Sequence, residues 1–253
     1  MRADSLCLSF GGLKAVQSFS LDLPSRALYG LIGPNGAGKT TTFNSCSGLN
    51  RPSSGRVLLH GHDVSSVSPP GRARHGLGRT FQIMELCESL TVADNVALGR
   101  EASQAGAKVL SQVFAPRADI EVRDLATAEA LDLCGISHLG DLQAGALSTG
   151  QRRLVELARC LAGPFDLLLL DEPSSGLDHD ETAKFGEILQ RVVAERGCGI
   201  LLVEHDMGLV MSVCEYIYVL DFGRLIFEGT PAEVASSADV QAAYLGSETE
   251  HIA

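Results

Sequence analysis

The stretch GPNGAGKTT occupies residues 33–41. It fits the pattern G-x-x-x-x-G-K-[ST]. A continuous apolar run at 28–32 precedes it and predicts a buried strand. The residues after it predict a helix, so both flanks that the pattern needs are present. Gly33, Gly36 and Gly38 let the backbone approach a phosphate closely and turn successive N–H groups inward. The start of the helix adds its partial positive charge. Lys39 supplies a point charge for β- and γ-phosphates, and the Thr40 hydroxyl can ligate Mg²⁺. A glycine-rich turn with a stray lysine would not carry both flanks.

A second stretch, LLLLDEPSSGLDHD at 167–180, ends an apolar strand in two adjacent acids. In phosphate-loop enzymes an acid at the end of a neighbouring strand holds the Mg²⁺, a role that falls to Asp171. Glu172 then stands one residue on, placed to orient and deprotonate a water. A solvated surface acid is the plainer reading of Glu172. A third stretch, LSTGQRRLVELAR at 147–159, pairs Ser148 with Gln151 as a capping box. Leu154, Leu157, Ala158 and Leu161 follow on one helix face. These residues alone describe either a well-capped helix or a helix start, with Gly150, that offers N–H groups to an anion.

The wider chain narrows the classes. It has 253 residues, 45% hydrophobic and 20% charged, which suits one large globular domain or a main domain with a smaller one. Its net charge of −11, from 20 basic and 31 acidic residues, argues against a nucleic-acid partner. Seven cysteines are scattered without C-x-x-C pairs, as buried small hydrophobes of a reducing compartment are. His60 and His62 read as surface histidines of a turn. The first ten residues hold no apolar signal core, and no apolar run approaches the ~20 residues that span a bilayer. If the protein acts at a membrane, other chains must do the spanning.

Along the chain, the first sixty or so residues read as β-rich, with strands at 5–10, 20–23, 28–32 and 56–59. From about 91 to 162 the periodicity is helical. Thr91 with Asp94 marks a helix start, residues 122, 125, 128 and 131 mark an apolar helix face, and 103–116 is weakly patterned. From 167 onward, strands at 167–170, 200–203 and 216–220 alternate with helices, one of them near 182–196. That alternation predicts a parallel sheet covered by helices.

Taken together, these motifs resemble an ATP-binding cassette ATPase, the nucleotide-binding subunit of an ABC transporter. The resemblance covers nearly the whole chain, and its parts stand in family order. They are Phe10 at the place of the adenine-stacking aromatic, the phosphate loop at 33–41, Gln82 in RTFQ, the signature LSTGQ, LLLLDE, the SSGLD loop after it, and His205 in LLVEHD. The resemblance implies an α/β P-loop NTPase core with a mixed sheet, an N-terminal antiparallel β subdomain and an inserted α-helical subdomain. It divides one cassette domain into a core (1–84 and 163–230), a helical signature subdomain (85–162) and a C-terminal tail (231–253). It implies ATP and Mg²⁺ as ligands. Phe10, Val16, Asn35, Gly36, Gly38, Lys39, Thr40 and Thr41 would bind the nucleotide. Ser148, Gly150 and Gln151 would close on the ATP of a second ATPase subunit, identical or not. Glu172, His205 and Gln82 would serve catalysis, and Thr40, Gln82 and Asp171 the metal.

The signature departs from the usual LSGGQ at Thr149, where a β-branched residue would be strained if positive φ were required. GLGRTFQ, TVADNVALGR, LVEHDM and DFGRLIFEGTPAEV look like the branched-chain amino-acid importer ATPases. That type implies a peripheral place on the cytoplasmic face of the cell membrane. Its partners are transmembrane permeases and, indirectly, a solute-binding protein. The apolar residues Ile83, Met84, Leu86 and Leu90 would face the permease. An export ATPase and a soluble ATPase of the iron–sulfur assembly type are the alternatives.

Overall fold

The computed structural model describes residues 1–80, 86–104 and 117–249. Two sheets form the frame. Strands β1 (Arg2–Phe10), β2 (Leu13–Asp22), β4 (Ser54–Leu59) and β5 (His62–Asp63) make an antiparallel sheet in the order β2-β1-β4-β5. Strands β3 (Leu28–Ile32), β6 (Leu77–Arg79), β7 (Leu167–Asp171), β8 (Gly199–Val203), β9 (Tyr216–Asp221) and β10 (Arg224–Gly229) make the second. Its order is β10-β9-β3-β8-β7-β6; all neighbours are parallel except β10, which pairs antiparallel with β9. The mixed sheet and the separate antiparallel sheet are those the family resemblance implies; the strand–helix alternation alone predicts the parallel neighbours and not antiparallel β10.

The runs Leu167–Leu170 of β7 and Ile200–Val203 of β8 are apolar throughout because both faces of these strands are buried. Leu167, Leu169, Leu201 and Val203 point into a core shared with the antiparallel sheet, alongside Phe19, Phe43 and Val57. Leu168, Leu170, Ile200 and Leu202 point the other way, into a larger core under the helices. The period-2 geometry of a strand thus divides one apolar run between two cores. The carboxyl ends of β3, β7 and β8 lie side by side, where open α/β sheets bind ligands.

The helices are α1 (Lys39–Ser47), α2 (Pro69–Arg74), α3 (Val92–Gln104), α4 (Arg117–Leu133), α5 (Thr149–Ala162), α6 (His179–Arg196), α7 (Met207–Val213), α8 (Pro231–Ser236) and α9 (Ala238–Thr249). Helices α3, α4 and α5 pack on one another as a separate group. The Thr91 hydroxyl accepts from Asp94 N–H at 3.0 Å and caps α3, as its sequence indicates. For α4 the expected face is corrected in part. Val122, Leu125 and Ala128 are exposed, Leu131 is buried as expected, and Thr127 and Ala130 are buried beside it. Both sets repeat at helical spacing, and only packing against α3 and α5 selects between them.

Buried Arg72 secures the far end of α1. Its guanidinium donates to the carbonyls of Ser45 (2.6 Å) and Cys46 (2.7 Å), which the helix leaves without partners of its own. Helices α8 and α9 are anchored to the fold, since Val234 and Val240 are buried in the larger core. Five cysteines are buried, as expected, while Cys87 is exposed and Cys7 half-buried. No helix among the described residues is long and apolar enough to cross a membrane.

Candidate functional site

A cavity of about 600 Å³ opens at the carboxyl end of β3. Its floor is the loop of residues 33–38, which passes straight into α1. Gly38 has φ 96°, and a Cβ there would lie 2.5 Å from the Ala15 carbonyl oxygen, so only glycine fits. Lys39 is 6% exposed. Its ammonium donates to the carbonyls of Gly33 (2.6 Å) and Pro34 (3.0 Å), which fixes it against the loop. Burial lowers its pKa, and the nearby Glu172 and Asp171 oppose that shift. Asn35, Gly36, Gly38, Lys39, Thr40 and Thr41 all line the cavity, as their sequence implies.

Asp171 ends β7 with its side chain 1% exposed. Among the described residues neither carboxylate oxygen has a hydrogen-bond partner. The nearest cation is Arg79, whose Nη2 is 3.6 Å from Oδ2. Burial raises the Asp171 pKa, and Arg79 offsets this in part. A buried carboxylate with unused lone pairs fits a divalent cation, which would reverse the cost of burial. Among the described residues no group of three or more His, Cys, Asp or Glu stands at metal-holding spacing.

A pH effect follows. If Asp171 is the Mg²⁺ ligand, protons should compete with the ion for its oxygens up to a higher pH than at an ordinary carboxylate, because burial raises its pKa. Mg²⁺ affinity of the nucleotide-loaded chain is expected to weaken as pH falls through that raised value. Asp171→Asn should lose most of that affinity and retain only the nucleotide's own pH dependence. Mg²⁺ titrations at several pH values check this, and equal slopes in both proteins would exclude Asp171 as the ligand.

Glu172 adopts φ 48°, a left-handed conformation uncommon for glutamate. Its N–H donates to the Val203 carbonyl at 2.8 Å, so the end of β8 pins this backbone. His205 Nε2 lies 2.6 Å from Glu172 Oε1, and both side chains line the cavity. Strain of this kind persists where the surroundings over-determine it, and it concentrates at working sites. Behind them is a buried residue that the sequence reading passed over. Glu204 accepts from Ser174 N–H (2.8 Å) and His205 N–H (3.0 Å), joining the segments after β7 and β8.

At the other end of the cavity, Phe10 ends β1 with 52% of its surface exposed. Val16, expected to bind the nucleotide, does not line the cavity in this structure. Val16 is 2% exposed and belongs to the core between the sheets, while Ala15 and Gln17 line the cavity. Adjacent strand residues point to opposite faces, so Val16 supports this wall from behind. Leu13, Phe222 and Gly223 also line the cavity; the last two lie in the stretch DFGRLIFEGTPAEV, which by itself assigns them no role.

Ser148, Gly150 and Gln151 stand at the start of α5, and none of them lines this cavity. The capping box is present: Gln151 N–H donates to Ser148 Oγ at 3.3 Å, and Ser148 N–H donates to Gln151 Oε1 at 3.0 Å. Thr149 is absent from the residues with positive φ, so the condition for strain is not met and the threonine is tolerated. It is the first residue of the helix. Buried Arg153 ties α5 to the loop after β7, donating from Nε to the Ser175 carbonyl at 3.3 Å and pairing with Glu156 at 3.1 Å. Gln82, Ile83 and Met84 lie outside the described residues. Leu86 packs against the larger core, so the fold itself uses one of the side chains read as facing a permease.

The family model described as "ABC transporter" matches residues 16–175, which include the phosphate loop, the signature and the Asp171-Glu172 pair. The chain belongs to this family. A second model, "Branched-chain amino acid ATP-binding cassette transporter", matches residues 224–250 of the cassette. The high-affinity branched-chain amino acid transport ATP-binding protein LivG of Salmonella typhimurium is 36% identical over 97% of each chain. BraF of Pseudomonas aeruginosa, described in the same words, is 34% identical over the same shares. The lipopolysaccharide export system ATP-binding protein LptB of Haemophilus influenzae is 35% identical, again over 97% of each. Among solved structures, the ADP conformation of MJ1267, an ATP-binding cassette of an ABC transporter, superposes with a TM-score of 0.84. It is 28% identical and covers 97% of this chain and 98% of its own. As a member of this family the cassette is an ATPase.

Proposed function

We propose that the cassette powers an importer of branched-chain amino acids or a related small polar solute. It would work as one of a pair of ATPase subunits beneath transmembrane permeases, at the cytoplasmic face of the membrane. The observation that carries this reading is the match of residues 224–250 to the branched-chain type, which adds to the LivG and BraF likeness over the full length. The similar LptB supplies the second reading, an exporter.

In this proposal the phosphate-loop N–H groups and Lys39 hold the β- and γ-phosphates of ATP, and Phe10 contacts the base. Asp171 and the Thr40 hydroxyl hold Mg²⁺, with Gln82 from the segment after β6. When bound, Mg²⁺ neutralises charge that builds on the phosphate oxygens. Glu172 orients the attacking water and accepts its proton. His205, 2.6 Å away, keeps that carboxylate in place. Ser148, Gly150 and Gln151 offer their exposed helix start to the nucleotide of the second subunit.

A groove of about 420 Å³ between the mixed sheet and the helical group is lined by Leu49, Pro69, Leu98 and Phe165, and it suits a permease segment. Leu49 is 53% exposed, so Leu49→Asp should leave folding and basal ATPase activity intact. It should abolish co-purification with the permeases and cut ATP-driven leucine uptake into proteoliposomes to background. Uptake equal to wild type would exclude this groove. A wild-type assembly that hydrolyses ATP but moves no branched-chain amino acid would favour the exporter.

A further inference from the structure

Strands β9 and β10 are joined by Phe222-Gly223, with Asp221 paired to Arg224. Both turn residues have positive φ, 42° and 76°, as a type I′ hairpin turn requires. Asparagine, aspartate and glycine are the residues that such a first position favours. A bulky aromatic there is strained. Phe222 is also 74% exposed, so its ring is not retained for packing. One residue thus breaks both turn chemistry and burial, the kind of local conflict that marks a working position.

The turn is held firmly against the cavity. Gln17 Nε2 donates to the Phe222 carbonyl at 3.1 Å, and Gln17 N–H donates to the Gly223 carbonyl at 2.7 Å. Gly223 N–H donates to the Ala37 carbonyl in the phosphate loop at 2.9 Å. Arg224 Nε donates to Gln17 Oε1 at 3.2 Å and holds that amide in turn. The Phe222 ring is therefore carried on a backbone fixed to the phosphate loop, and it lines the same cavity as Phe10 and Leu13. We propose that Phe222 is a second base-contacting residue, which with Phe10 gives the nucleobase of ATP an aromatic, apolar seat. A flat purine offers a π-face to each ring, and stacking of this kind is strong enough to be read in affinity.

The inference rests on the cavity being the ATP site, and the experiment separates the two. Phe222→Asn places a favoured residue in the turn, so its melting temperature should equal or exceed that of the wild type. Its ATP affinity by calorimetry should fall about tenfold, while its affinity for inorganic triphosphate, which has no base, should not change. Phe222→Tyr should restore ATP binding. Wild-type affinity for ATP in Phe222→Asn would overturn the inference, as would a lower melting temperature with equal losses for ATP and triphosphate. Wild-type protein that binds ATP no more tightly than triphosphate would overturn the base-site reading as well.

Discussion

Glu172→Gln is expected to stop ATP turnover and leave ATP binding intact. The amide is nearly isosteric with the carboxylate but cannot accept a proton from water, a loss that costs ~10²–10⁴ in rate. The geometry limits side effects. Backbone strain at φ 48° is as tolerable for glutamine as for glutamate, and the Glu172 N–H bond to Val203 does not involve the side chain. The amide oxygen can still accept from His205, whose Nε2 sits 2.6 Å from Glu172 Oε1 in the wild type. With binding kept and hydrolysis lost, ATP should hold two copies together as a dimer visible by size exclusion. A variant hydrolysing ATP at near wild-type rate would remove Glu172 from the role of base.

Lys39→Ala is expected to fail earlier, at binding itself. Lys39 is the buried cation of the loop, with Nζ within 2.6 Å of the Gly33 carbonyl and 3.0 Å of the Pro34 carbonyl. No other cation among the described residues lining the cavity belongs to the loop; Lys14 comes from β2. A hydrogen bond to a charged group contributes about 1.5–3 kcal/mol, so ATP affinity should fall at least roughly tenfold to a hundredfold. Lys39→Arg should not restore it, because a planar fork does not fit where a compact ammonium is enclosed by the loop's carbonyls. Folding should survive, because the two carbonyls that lose the ammonium belong to the loop that floors the open cavity, where water reaches them; an unchanged melting temperature checks this. Calorimetry with unchanged ATP affinity would contradict the phosphate-loop assignment.

Local chemistry explains how much could be read beforehand. A phosphate loop is legible because glycines, lysine and threonine must stand at set spacings between a strand and a helix, all within residues 28–47. The Ser148–Gln151 capping box is legible for the same reason, because one helical turn brings its two partners together. The apolar runs at 167–170 and 200–203 likewise announce strands buried on both faces.

What the sequence by itself determined was thus every feature whose cause is short-range: the phosphate cradle, the acids at a strand end, the capped signature helix and the β-then-α/β order of elements. Tertiary structure alone decided which distant ends meet. Register between β7 and β8 sets Asp171 beside Val203 and so brings Glu172 to His205. Packing left the Asp171 oxygens without a hydrogen bond from the described residues, turned Val16 into the core, and buried Thr127 and Ala130 of α4 with Leu131 while leaving Val122 and Leu125 exposed. The Phe222 turn, tied to Gln17 and Ala37, belongs to the same class. The physical reason is common to all of them. Spacing along a chain fixes what one turn or one strand presents, but burial, strain and partnership belong to surfaces that exist only once remote segments have packed together.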